Sequence, residues 1–297
     1  MLPRMASPQA GIFALGTSSH TYLELDRTDG IGDAELVHAV SELDEPRTTI
    51  GGVNLVVGFR PELFRNVLPD AISSDVHGFD RDMLGTEGYV LPATQHDVMV
   101  WISGAAYDVL FDTAHDLLKA LRPRATLAHE VVSWPYRHTR DLTGFIDGSE
   151  NPPLVEAQEF AVVGAGAPGE GGSVLLLQQW VHDHASWAAL PVERQEAAIG
   201  RRKADSEELP DKPENSHVAR TDQDTFGKIF RRNMPYGSVP DNGTMFVGFS
   251  AAQERLQAML ESMAGIRDGI RDALTYHTKP LTGAYYWVPP VDALRRA

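Results

Sequence analysis

The 297-residue chain contains no cysteine. That excludes a disulfide framework, thiolate zinc sites, cysteine-held iron–sulfur clusters and a cysteine nucleophile. It also excludes thiolate ligation of a haem. Long apolar runs are missing too. Runs such as Val174–Leu177 fall far short of the roughly 20 residues that cross a bilayer. Met1–Ala10 carries one arginine and two prolines without an apolar core, so no secretory signal is expected there. Positive charge is scarce. Lysine and arginine number 26 against 41 aspartates and glutamates, a formal net charge of −15. Such a field repels nucleic acid and anionic membrane surfaces and attracts cations. No GxxxxGK[ST] stretch occurs, which excludes a P-loop nucleotide site. The expectation is a cytoplasmic protein without nucleic-acid or membrane partners.

What remains is an ordinary globular composition, 42% hydrophobic and 23% charged, at a length that suits two domains. In the first half, Ile12–Gly16, Val53–Phe59, Asp97–Ser103 and Leu127–Trp134 read as strands. Ala34–Leu43 and Ala105–Leu121 carry apolar residues at helical spacing. The second half repeats the order. Phe160–Val163, Ser173–Val181, Phe226–Asn233, Thr244–Phe249 and Tyr285–Val288 read as strands. Leu190–Gly200 and Ala251–Met263 read as helices, the latter capped by Ser250. Two β-α-β-β-α-β halves predict an α+β protein of two ferredoxin-like domains, residues 1–140 and 141–297. No repeat is visible residue by residue.

Several motifs have bland readings. Gly164-Ala-Gly-Ala-Pro-Gly169 fits GxGxxG but precedes a strand and holds a proline, so a hairpin loop is expected rather than a dinucleotide site. His182-Asp-His184 has the spacing of two ligands on one strand face, but surface histidines after an apolar strand are the commoner case, and Asp205–Asp211 reads as a solvated acidic loop. The loop Gly144-Phe-Ile-Asp147-Gly148-Ser-Glu-Asn151 is more informative, because it turns sharply where a cleft between the halves would lie. Taken alone, Asp147 is equally a turn former. His217 follows a proline-rich stretch; a lone histidine is usually structural or at the surface, and only one that faces a cofactor, as a neutral imidazole, suits an axial haem ligand. In Arg231-Arg-Asn233, strand alternation points Arg231 and Asn233 one way and Arg232 the other.

Taken together, these segments resemble the bacterial dye-decolourising peroxidases of the compact type B subgroup. The resemblance runs from Pro8-Gln-Ala-Gly-Ile-Phe-Ala-Leu-Gly16 through Arg140-Asp-Leu-Thr-Gly-Phe-Ile-Asp-Gly-Ser-Glu-Asn-Pro152, Trp180-Val-His-Asp183 and Ser216-His217. It continues in Arg231-Arg-Asn-Met-Pro235 and Phe246-Val-Gly-Phe-Ser250. It implies one haem b per chain, held mainly by the second half, within the dimeric α+β barrel superfamily. It implies His217 as the iron ligand and Asp147, Arg231 and Asn233 as the distal catalytic residues. It places Gly148, Ser149, Glu150, Arg231 and Phe246 beside the cofactor.

The implied function is oxidation of dyes, phenolic compounds or Mn(II) by hydrogen peroxide through a ferryl intermediate. The resemblance also implies a homo-oligomer. The chain ends at Val291–Ala297 without a Gly/Ser- and Leu-rich tail, which argues against packaging in a protein nanocompartment. The competing readings are a haem carrier with incidental peroxidase activity, a chlorite-decomposing enzyme and a haem-free acidic protein. Asp147 paired with Arg231 separates the first from a peroxidase, since a carrier needs no proton shuttle. Tyr285-Tyr286-Trp287 and Trp134 with Tyr136 are candidate electron relays that core packing explains equally well.

Overall fold

The computed structural model describes residues 6–43, 52–137 and 139–297. Met1–Met5, part of the stretch read as lacking a secretory signal, lie outside them. Among the described residues twelve strands follow in chain order. They are β1 Ser19–Arg27, β2 Asn54–Phe59, β3 Met83–Leu84, β4 Val90–Leu91, β5 Val98–Gly104 and β6 Ala125–Ser133, then β7 Ser173–His182, β8 Phe230–Arg231, β9 Met234–Gly237, β10 Asn242–Ser250, β11 Thr278–Pro280 and β12 Ala284–Val288. β3 and β4 form a small ladder of their own. The other ten form one sheet in the order β11-β7-β12-β2-β5-β1-β6-β9-β10-β8, and β7 also pairs with β10. That last pairing closes the sheet into a barrel. Its pairs are antiparallel.

Period-2 alternation divides the side chains of each strand between two cores. Tyr22, Trp101, Leu175, Leu177, Val247, Phe249 and Tyr286 fill the barrel interior. Leu23, Leu25, Val100, Leu176 and Trp180 face outward, in one cluster with Leu36, Val37, Leu110, Leu117, Leu256 and Leu260. Those six belong to helices Asp33–Ser41, Tyr107–Leu121 and Gln253–Met263. The interior also takes polar groups from β1. The Tyr286 hydroxyl donates to Glu24 at 2.6 Å, and Trp101 Nε1 donates to His20 at 3.2 Å.

Four expected elements differ. Ile12–Gly16 is no strand: Ala10–Phe13 is a 3₁₀ turn. The segment is apolar because Ile12 packs into the barrel interior. Beside it the Gln9 amide bonds both Val57 backbone groups and the Pro289 carbonyl. The first strand is β1 instead. Phe160–Val163 closes the helix Leu154–Ala161, and its apolar residues Ala161 and Val162 belong to the interior cluster. In Phe226–Asn233 only Phe230–Arg231 is ladder, because Phe226 ends a short helix and Gly227 takes φ +93°. Ser250 does not cap the helix Gln253–Met263. Its hydroxyl bonds the backbone of Ala252, the residue at the cap position.

Candidate active site

Between the outer face of β7, β8 and β10 and the helix Gln253–Met263 lies a cavity of about 1220 Å³, its open mouth included. Leu176, Ile229 and Phe246 contribute apolar wall from the sheet side, and Leu256, Met259, Leu260 and Met263 from the helix. The polar groups come from several separate segments of the chain, as in small-molecule and cofactor sites generally.

The sheet side carries Arg231 and Asn233, which both line the cavity, whereas Arg232 does not. Arg232 points into the barrel, where its guanidinium lies 5.0 Å from the Trp101 ring centroid and donates to the Ile12 and Ala14 carbonyls. Arg231 is held through its backbone. The Asn151 side chain donates to the Arg231 carbonyl at 2.8 Å and accepts its N–H at 2.9 Å. Asn151 thus serves as a substitute strand neighbour and fastens the preceding loop to the sheet.

That loop, Arg140–Asn151, delivers Asp147. Arg140 pins it by donating to the carbonyls of Gly144 and Lys203, and the Asp147 N–H bonds the Thr139 carbonyl at 2.7 Å. Gly148 turns the chain at φ +73°, a conformation that costs glycine little. It shapes the turn, while its neighbours Ser149 and Glu150 form wall. The Asn233 amide then has a fixed orientation. Its oxygen accepts the Val247 N–H at 3.1 Å, so its nitrogen is left to donate to Asp147 Oδ1 at 3.3 Å. Glu150 accepts from Arg201, another wall residue.

The helix side carries His217, first residue of the short helix His217–Arg220, which Ser216 caps. Its Nδ1 lies 2.7 Å from Asp272 Oδ2. Asp272 is fully buried, and its other oxygen accepts the Leu274 N–H at 2.8 Å. A carboxylate accepts, so Nδ1–H donates, and in the neutral ring that tautomer leaves the Nε2 lone pair free. Sequence reasoning missed Asp272, because it lies 55 residues from His217 in a polar segment without periodicity. It also missed Asp141, a wall residue whose carboxyl is pushed up to about 6, chiefly by burial and also by the nearby Asp147 charge. His182 is no surface histidine. It lines the cavity between Thr244 and Thr278, and burial lowers its pKa to about 4.

This lining fits a haem. A flat apolar macrocycle suits walls of leucine, methionine and phenylalanine. A histidine with a carboxylate behind Nδ1 presents Nε2 toward a metal in the tautomer that would ligate it. Nε of Arg231, Nε of Arg201 and Nε2 of Gln178 are buried without a hydrogen-bond partner, and all three residues line the cavity. Such donors call for acceptors that the polypeptide does not supply.

Known proteins agree. The family model described as Dyp-type peroxidase, C-terminal, matches residues 138–293. The dye-decolorizing peroxidase of Mycolicibacterium paratuberculosis is 33% identical over 95% of this chain and 84% of its own length. That of Mycobacterium tuberculosis is 33% identical over 89% and 83%. A putative Dyp-type peroxidase from Shewanella oneidensis superposes with a TM-score of 0.89 at 30% identity, covering 99% of both chains. A Rhodococcus jostii DypB variant in complex with heme does so with a TM-score of 0.88 at 31% identity, covering 98% of this chain and 99% of the other. By profile, sequence and fold, the chain belongs to the Dyp-type peroxidase family.

Proposed function

We propose that the protein is a peroxidase that binds one haem b through His217 and uses hydrogen peroxide to oxidise small reductants. The observation that carries this reading is one cavity lined by two sets of groups. On the helix side stands a histidine backed by a buried carboxylate; on the sheet side and its loop stand an aspartate, an arginine and an asparagine. Bound haem would supply the iron at which peroxide is cleaved and the oxidising equivalents later passed to the reductant.

The chain's own residues supply the rest. Asp147 takes the proton from one peroxide oxygen and returns it to the other, which leaves as water. Asn233 holds the Asp147 carboxylate in place through its amide N–H. Arg231 sets a permanent positive charge beside the oxygen on which negative charge develops. Asp272 keeps Nε2 of His217 free as an electron-rich ligand. Ser149, Glu150 and Phe246 border the cofactor, with Gly148 shaping the turn. A haem carrier would have no use for the Asp147–Asn233–Arg231 arrangement.

Solved structures similar to this chain include Rhodococcus jostii DypB variants in which an aspartate or an arginine is replaced, both in complex with heme, and a DypB variant with an asparagine replaced, in complex with manganese. With a formal charge of −15, this chain draws cations such as Mn(II) more readily than anionic dyes. Phenolic compounds and dyes complete the substrate range.

The finer fold reading is two ferredoxin-like halves, residues 1–140 and 141–297. It is supported by the contiguous runs β2-β5-β1-β6 from the first and β12-β7-β10-β9 from the second. A cytoplasmic homo-oligomer is the proposed setting. Among the described residues no helix is long and apolar enough to cross a membrane. The test is peroxide-dependent oxidation of a dye by the haem-loaded protein. Turnover that depends on both haem and His217 supports the proposal. A haem-loaded protein that oxidises no dye, phenol or Mn(II) with peroxide overturns it.

A further inference from the structure

Gln178 breaks the pattern of its strand. The residues before it, Val174–Leu177, are apolar and buried, yet Gln178 is equally buried, at 1% exposure. It lines the cavity, and its Nε2 has no hydrogen-bond partner. Directly across the ladder stands Phe246, a ring without an acceptor oxygen. Nearby polar side chains are already engaged. His182 bonds Thr244 and Thr278, and the Asn233 amide bonds Val247 and Asp147. A buried amide donor without an acceptor is destabilising, and methionine would fill the same volume without that cost.

We propose that Gln178 is a binding residue of the cavity, whose amide donates to an acceptor that only the loaded cavity provides. The acceptor is either a carboxylate of the haem or the anion or oxidant bound on its distal side. This rests on the haem reading above. It adds to the Asp147–Asn233–Arg231 group a neutral donor on β7, across β10 from the strand that carries Arg231.

The test is Gln178→Met, compared with wild type in three measurements: thermal unfolding of the haem-free protein, haem affinity by absorbance titration, and fluoride affinity of the haem-loaded protein. Removing an orphaned donor should raise the melting temperature of the haem-free variant by roughly 2–6 °C. Losing the hydrogen bond should weaken one affinity on the order of tenfold. Weaker haem binding identifies the haem carboxylate as acceptor. Weaker fluoride binding with haem affinity unchanged identifies the distal ligand. Two unchanged affinities overturn the proposal, and so does a variant whose melting temperature and affinities fall together, which reports lost packing. A wild-type protein that binds no haem overturns the haem reading itself, a result that the wild-type titration alone reveals.

Discussion

Replacing Asp272 by asparagine keeps the shape of the side chain and changes what it can offer His217. Asparagine still has an oxygen for the Leu274 N–H that Asp272 now accepts at 2.8 Å, so the cap on the turn Ala273–Tyr276 survives. The other position becomes an NH₂ group facing Nδ1, 2.7 Å away. An NH₂ can only donate, so Nδ1 must accept and the ring proton moves to Nε2. An Nε2 that carries a proton cannot ligate iron. Loss of such an outer partner typically weakens metal binding about 10–100-fold. The haem-free fold should not suffer, because the substitution removes a fully buried charge. Two measurements on Asp272→Asn separate the effects: absorbance titration with haem, and thermal unfolding without it. The expected result is a 10–100-fold weaker haem affinity with an unchanged or raised melting temperature. Haem affinity within about twofold of wild type would refute the tautomer reasoning.

Arg231→Ala should slow peroxide consumption by the haem-loaded enzyme roughly 10²–10³-fold. Arg232→Ala should leave that rate intact but destabilise the fold by about 2–4 kcal/mol, because it leaves the buried Ile12 carbonyl and the half-buried Ala14 carbonyl without their donor and empties the space beside Trp101; stopped-flow rates and denaturant unfolding of the two variants distinguish them. Asp147→Asn keeps the acceptor for Asn233 but loses the base, so the peroxide step should fall about 10²–10⁴-fold in the same assay. The Asp141 carboxyl is raised from 3.8 to about 6 by burial. Between those values the native state binds more protons than the unfolded one, so stability falls as pH rises from about 4 to about 6. Asp141→Asn should remove that fall, at most about 3 kcal/mol in the haem-free protein; identical pH slopes in chemical unfolding of variant and wild type would contradict it.

Sequence patterning reached the parts of the structure governed by a single period. The helix Tyr107–Leu121 and the strands β2, β5, β7 and β10 follow from apolar spacing. The same alternation separates Arg231 from Arg232, which the structure places on opposite faces. Patterning failed where a segment's polarity reflects distant neighbours. β1 puts His20, Tyr22 and Glu24 into the barrel, so its buried face does not look apolar. The turn Ala10–Phe13 looks like a strand because Ile12 packs into the barrel interior. In the cavity, His217 and the loop around Asp147 stand out as motifs, but their partners do not. Asp272 meets His217, and Arg201 meets Glu150, across 55 and 51 residues. Nothing local in the sequence encodes such pairings. Gln178 left a faint trace, a polar residue ending an apolar run on the outward face of β7.

The central claim is that the cavity takes one haem through His217. Absorbance titration of haem into the haem-free protein, run on wild type and His217→Ala, tests it most directly. One equivalent should bind wild type with a histidine-ligated spectrum, and His217→Ala should lose that spectrum and most of the affinity. An unchanged spectrum and stoichiometry in His217→Ala would contradict the account.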